Sequence, residues 1–431
     1  MDEAPLSQGR IARFFLPLAV SWIFMAVEAP ISIGVISRMP FPKVNTAAFL
    51  LMMGLALWIE SPVIDLLSTS TTLSRSRRSY QSITRFALLL MAWVTFAHFV
   101  AVATPVYDLI VYRVMDVPEE VGAAARSGLM IMLPWSALIG WRRYLQGILI
   151  RNGYTRTIGL GTAVRVSVMA VSSVSLYLAS SLHSIVVVAT ALILSVGAEA
   201  AFIHAVSRRV VRELTRRSEP DEPIENRRLA AFHFPLTATT LVTMLASPLI
   251  TAALSRDADS IRTMAAFQVA STLLFLFRTT TFAIPEVVIT LSQEHRGPEA
   301  LWRFCFFLGS GLSGLLLIFA LSPLDDLVFR SVLAAPADVV PLASSLLLLG
   351  ASLPLVNAML GYVRGMLTAH HLTLSRMVAV VVSMSVLGGM LALGVAAHWP
   401  GIVTAAVALT VSLVTELGVL GIAWHRGRNR I

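Results

Sequence analysis

The chain has 431 residues, of which 56% are hydrophobic and only 13% charged, and its mean hydropathy of +0.78 excludes a water-soluble globular domain. A formal charge of +9 would suit a nucleic-acid binder, but the basic residues lie between apolar runs, where they set topology instead. The one cysteine, Cys305, excludes a disulfide framework and a cysteine-based metal site.

An α-helix rising about 1.5 Å per residue needs about twenty apolar residues to cross a bilayer. Runs of that length recur along the whole chain, about twelve in all. The first, 14–36, is too long for a cleavable signal and carries Pro17, Glu28 and Pro30. The second, 45–67, carries Glu60, Pro62 and Asp65, and a third follows at 84–106. The fourth, 127–150, is entered just after Arg126; the fifth and sixth, 157–179 and 185–206, precede a polar stretch at 208–229. The seventh, 232–254, holds Pro235 and Pro248, and the eighth, 264–290, holds Arg278 and Glu286. Four more follow at 303–321, 341–366, 377–397 and 401–424. This predicts an all-α, multi-pass integral membrane protein.

Arginines cluster in alternate connections. Arg75, Arg77 and Arg78, then Arg142, Arg143, Arg151 and Arg156, then the 208–229 stretch and the C-terminal tail, fall on one side. The other side is sparse in basic residues, so the positive-inside rule places both termini in the cytoplasm. A cytoplasmic, or inner, membrane location is the expectation.

The sequence also repeats itself. Residues 14–38 align without a gap on 232–256, pairing Phe14 with Phe232, Pro17 with Pro235, Pro30 with Pro248 and Arg38 with Arg256. The same offset of 218 pairs Asp108-Leu109 with Asp326-Leu327, and "YLQGIL" at 144–149 with "YVRGML" at 362–367. With one residue of slippage Glu199 meets Glu416. Six spans per repeat is an even number, so the two repeats are parallel. The predicted organisation is an N-lobe over 1–207, a cytoplasmic linker over 208–229 and a C-lobe over 230–431, with a substrate site near mid-membrane between the lobes.

Charged groups inside a bilayer are costly and normally face a cavity or a partner. Glu60 and Arg278 are 218 residues apart, so the same site carries an acid in one repeat and a base in the other. Two readings stand: a buried structural pair, or a cavity-facing gate and substrate contact to which Arg126 adds positive field. Glu28 and Glu60 are the candidate carboxylates for a coupling H+ or Na+. Pro17, Pro30, Pro62, Pro235 and Pro248 are candidate helix kinks. Glu199 and Glu416 read as packing groups, Arg364 as an end charge, and His98, His204 and His233 as structural. No phosphate loop, dinucleotide loop, metal-ligand cluster or nucleophile elbow is present, so no catalytic residue, cofactor or metal is expected.

The two-lobe repeat resembles the multidrug, oligosaccharidyl-lipid and polysaccharide (MOP) exporter superfamily with its MATE-like fold. Within it, "RFFLPL" at 13–18, "VPEEVGAAAR" at 117–126, "GILIRNGYT" at 147–155 and "VVPLASS" at 339–345 are most similar to the progressive ankylosis protein family, together with Pro62, Asp65 and Glu416. That resemblance implies a secondary carrier exporting small organic or phosphorylated anions such as citrate, pyrophosphate or nucleotides. The two acids leave H+- or Na+-coupled efflux of cationic compounds as an alternative, and flipping of a lipid-linked saccharide as another. Membrane lipids and a small-molecule anion are the expected partners, with no nucleic acid and a monomer as the working unit.

Overall fold

The computed structural model describes residues 6–179, 181–216, 223–370 and 374–428. The first half of the chain forms α1 (Gln8–Ala26), α2 (Glu28–Ile36), α3 (Pro42–Ile64), α4 (Leu66–Leu73), α5 (Arg77–Ala103), the single turn α6 (Val106–Asp108), α7 (Glu119–Ile131), α8 (Trp135–Arg151), α9 (Arg156–Ala179) and α10 (Ser184–Arg216). The second half forms α11 (Asn226–Met244), α12 (Ala246–Leu254), α13 (Ser260–Thr279), α14 (Ile284–Leu291), α15 (Gly297–Leu321), α16 (Leu324–Leu327), α17 (Val340–Leu349), α18 (Leu353–Ala369), α19 (Leu374–Ala396) and α20 (Gly401–Arg428). Among the described residues ten helices or consecutive helix pairs are long and apolar enough to cross a membrane, and counting each of two sharply bent pairs as one span brings the number to twelve. The chain is a multi-pass integral membrane protein.

The backbone keeps the 218-residue register closely. The first span breaks at Val27 and the seventh at Leu245. Each break lies three residues ahead of a proline, Pro30 or Pro248, because the ring displaces the carbonyl four residues back and offers it no N–H. The helix runs on unbroken through Pro17 and Pro235, and Pro62 sits inside α3 just before the break at Asp65. π-helical turns recur at Leu109–Val114 and Val328–Val332. Each is followed by a left-handed residue, Asp116 (φ 59°) and Ala334 (φ 52°). The fourth and tenth spans, expected as single helices, bend by 48° and 42°. Pro134 and Pro354 open their second segments, which accounts for both bends.

Gly147 and Gly365 lie at one repeat position in α8 and α18. Each lets its helix rest directly on the broken second span of its half. A Cβ at Gly147 would run into the Ser70 hydroxyl and stand 2.5 Å from the Leu67 carbonyl; at Gly365 it would stand 2.6 Å from Val288 Cβ. Gly147→Ala is expected to cost about 1–3 kcal/mol by overpacking, seen as a lower unfolding temperature in detergent. Gly153→Ala, with nothing within 4 Å but φ +83°, separates backbone strain from crowding.

The contacts divide the chain into two compact units, Arg38–Ala252, and Met1–Ser37 with Ala253–Ile431. These differ from the lobes expected at 1–207 and 230–431: the first helix of each sequence repeat belongs to the unit built mainly from the other. Of the expected linker 208–229, residues 208–216 continue α10, 226–229 begin α11, and 217–222 lie outside the described residues.

Side-chain stripes explain the exchange. In the discontinuous unit, Ile11, Phe15 and Ala19 follow a four-residue spacing along α1 and bury against Ile284, Val287, Leu301 and Cys305. Phe15 meets Phe304 edge-on at 5.3 Å, and Trp22 meets Phe282 at 5.4 Å. In the continuous unit, α11 offers Leu229, His233 and Thr237, all buried, at the same three repeat positions. Here the stripe is partly polar. His233 Nε2 donates to the Pro62 carbonyl at 2.9 Å, and Nδ1 accepts from the Thr69 hydroxyl at 2.9 Å. Those two bonds fasten α11 across the break in the second span.

Candidate functional site

The buried charges of the continuous unit converge on α8. Pro134 starts the helix, and Trp135, Arg142, Arg143 and Gln146 follow along it between α3 and α10. Glu199 of α10 is fully buried and binds Arg142 Nη1 at 2.6 Å. Gln146 Nε2 donates to the other carboxylate oxygen at 3.3 Å, and Arg165 of α9 stands at 3.8 Å. Arg165 also lies over the Trp135 ring at 5.8 Å.

Glu60, on α3, is 3% exposed. The charges acting on it are Arg142, Arg165 and Arg143, and the Trp135 indole is close by. Glu60 Oε2, Trp135 Nε1, Arg142 Nε, Arg143 Nε and Gln146 Oε1 are all buried without a hydrogen-bond partner. Buried polar groups are normally satisfied; the Trp135 indole and the Glu60 carboxylate lie close enough to interact, so the capacity left over is that of Arg142 Nε, Arg143 Nε and Gln146 Oε1. The guanidiniums of Arg142, Arg143 and Arg165 face the carboxylates of Glu60 and Glu199. One turn further along α3–α4, Asp65 interacts with Thr240, His233 and Arg143, and its Oδ2 is likewise unpartnered. A polar seam therefore runs from Asp65 through Arg143 and Glu60 to Glu199.

The discontinuous unit is built differently at the same positions. Arg364, the repeat counterpart of Gln146, pairs with Glu416 through Nε at 3.0 Å and through Nη2. The carboxylate is kept in both repeats and its arginine moves by one helical turn. Arg364 is thus an ion-pair partner inside the unit, not an end charge. Arg278 of α13 is half-buried. Its Nη2 reaches Asn357 Oδ1 at 3.5 Å, its Nε has no partner, and among the described residues no carboxylate lies within 4 Å of it. The charge that acts on it is Arg364.

The remaining expected residues fall elsewhere. Arg126 donates to the Val102 carbonyl (2.9 Å), the Thr104 carbonyl (3.4 Å) and Asp108 (3.2 Å), and its guanidinium covers Tyr107 at 5.0 Å. Its fork closes the end of α5, which leaves little of it for a substrate. Glu28 is half-buried in the first turn of α2, just beyond the break at Val27, and the Ser32 hydroxyl donates to its carbonyl at 2.9 Å. A carboxylate is well placed against the N–H groups of a helix start. Sequence reasoning missed Arg142, Arg143 and Arg165 as site residues, assigning the first two to a cytoplasmic connection. The available signal was Glu199: a carboxylate expected to pack deep in a helix needs a cation, and Arg142 lay within the predicted fourth span.

Solved structures show the same arrangement of helices. A multidrug resistance MATE family transporter of the MOP superfamily, in its inward-facing conformation, aligns with a TM-score of 0.72 at 15% identity over 94% of each chain. The Vibrio cholerae MATE transporter VcmN in its bent form aligns at 0.59 and 16% over 97% of each chain. The fold is that of the MATE transporters. A MOP superfamily transporter from Pyrococcus furiosus, for which reverse polarity of the binding pocket suggests a different function, aligns at 0.57 and 12% over 99% of this chain and 98% of its own. No protein-family profile and no curated protein sequence matches the chain.

Proposed function

We propose that the protein is a secondary carrier that works by alternating access and exports small organic or phosphorylated anions across the cytoplasmic membrane. One observation carries the anion assignment: Arg278 is a half-buried guanidinium that reaches Asn357, has no carboxylate of its own unit within 4 Å among the described residues, and feels the charge of another arginine, Arg364. A cation held in this way in an apolar helix bundle favours an anionic guest, and a guanidinium fork suits carboxylate or phosphate. The reversed pocket polarity of the Pyrococcus furiosus transporter gives this fold a precedent for departing from one pocket polarity. The motifs resembling the progressive ankylosis family point the same way. The test is uptake of labelled citrate, labelled pyrophosphate and a cationic dye into inverted vesicles, with and without proton and Na+ gradients. Uptake of the dye and of neither anion would overturn the assignment.

A second reading, coupled efflux of cationic compounds, rests on Glu60 as a buried carboxylate that exchanges a proton or Na+. Both readings give Glu60 the coupling role, so Glu60→Gln is expected to keep the fold and to remove the gradient-dependent part of flux. Parental gradient dependence over pH 6–8 would leave the residue a packing group.

Both termini inside is part of the proposal. Cysteines at Glu213 and His425, near the ends of α10 and α20, are expected to resist an impermeant thiol reagent in intact cells and to react after permeabilisation. The native Cys305 is 1% exposed and does not compete. Labelling of both sites from outside would invert the topology.

A further inference from the structure

At the end of the continuous unit where α4 hands over to α5, a cavity of 490 Å³ is lined by Thr71, Ser74, Arg75, Arg151, Asn152 and Leu214 among others. Two guanidiniums share it. Arg151 Nη1 donates to the Thr71 and Thr72 carbonyls at 2.9 and 3.1 Å, which fixes the side chain against the end of α4. Arg75 is exposed, and its charge acts on Arg151. No lining residue is acidic, and among the described residues neither arginine has a carboxylate within 4 Å. Two like charges that line one cavity without an acidic lining residue attract an anion to it.

A second feature points to the same guest. Ser74 lines the cavity, is fully buried, and its hydroxyl has no hydrogen-bond partner. A hydroxyl donor beside two guanidiniums matches a tetrahedral oxyanion, which offers several acceptor oxygens to donors from different directions. The other repeat supplies a natural comparison. At the equivalent positions it has Ser292, again buried with an unpartnered hydroxyl, but Gln293 and Ala369 in place of the two arginines. The hydroxyl belongs to the repeated fold; the paired charge belongs to this unit alone.

We propose that this cavity is a phosphate-binding site, with Arg75 and Arg151 as charge partners and Ser74 as an added donor. The phosphate group comes either from the headgroup of an anionic phospholipid or from free phosphate, and the assay separates the two. Purified protein is placed in nanodiscs of phosphatidylcholine with and without phosphatidylglycerol, and separately in neutral detergent with inorganic phosphate or pyrophosphate. Binding is read by native mass spectrometry and by the shift in unfolding temperature. Each arginine is expected to account for about a fivefold change in affinity, with the effect shrinking as salt rises.

Arg75→Ala is the primary variant, since its side chain holds no described hydrogen bond. Arg75→Ala with Arg151→Ala is the second, and Arg208→Ala, exposed on α10, controls for general surface charge. Loss of phosphatidylglycerol binding in the first two alone assigns a headgroup site. Loss of phosphate or pyrophosphate binding as well, with competition against the lipid, assigns the site to free phosphate too. Parental binding of every probe by both variants, losses no greater than those of Arg208→Ala, or no binding of any probe by the parent would each overturn the proposal.

Discussion

Arg142→Ala is expected to destabilise the protein by about 3–5 kcal/mol, enough to lower its unfolding temperature in detergent well beyond the change at Gly147. Glu199 is fully buried and Arg142 is 4% exposed, so the variant strands a carboxylate in a low-dielectric interior. Gln146 would remain at 3.3 Å and Arg165 at 3.8 Å, neither at the short range of the lost partner. The double variant Arg142→Met with Glu199→Leu removes both charges and is expected to recover most of the loss, because an apolar pair of similar volume replaces a desolvated ion pair at little cost. A double variant as unstable as the single would show that the guanidinium acts through its packing instead. An undamaged Arg142→Ala would show that Arg165 takes over the carboxylate.

The second large effect is on transport. Arg278→Ala is expected to lower anion flux by about 10- to 100-fold, the loss that follows from removing a charge-assisted hydrogen bond to substrate. Stability should behave in the opposite sense to that of Arg142. Arg278 has no carboxylate partner among the described residues, so its removal relieves an uncompensated charge instead of creating one. A well-folded variant that has lost flux is the expected result, with Arg278→Lys restoring part of it by charge without the planar fork. Normal anion flux in a well-folded Arg278→Ala would end the role of Arg278 as selector and leave the cationic-substrate reading as the stronger one.

What the sequence made legible was whatever depends on periodicity and on proline. The twelve spans, the 218-residue register and the weak points at Pro30 and Pro248 follow from residue type alone, since a missing N–H disrupts a helix in any surroundings. Side-chain partners did not follow, because they depend on which face of each helix turns inward. Glu60 and Arg278 shared a repeat position, which suggested a pair. Within its own unit each has charged neighbours that the repeat could not reveal: Arg142, Arg143 and Arg165 around Glu60, and Arg364 near Arg278. Arg142 reads as a loop charge until α10 brings Glu199 against it. The exchange of first helices was equally hidden, since the stripes Ile11–Phe15–Ala19 and Leu229–His233–Thr237 look like ordinary membrane sequence until their docks are known.

That exchange sets an order of assembly during synthesis. The partners of α1 are α13, α14 and α15, so α1 leaves the ribosome long before anything exists for it to dock on. At about 5–20 residues per second, the delay is roughly ten to fifty seconds. Throughout it the stripe of Ile11, Phe15 and Ala19 is without its dock, and a bilayer is a solvent that an apolar face tolerates at little cost. The partner of α11 is α3, which is already in place when α11 emerges, so His233 can find the Pro62 carbonyl and the Thr69 hydroxyl at once. The apolar stripe belongs to the helix that must wait, and the polar stripe to the helix whose dock is ready.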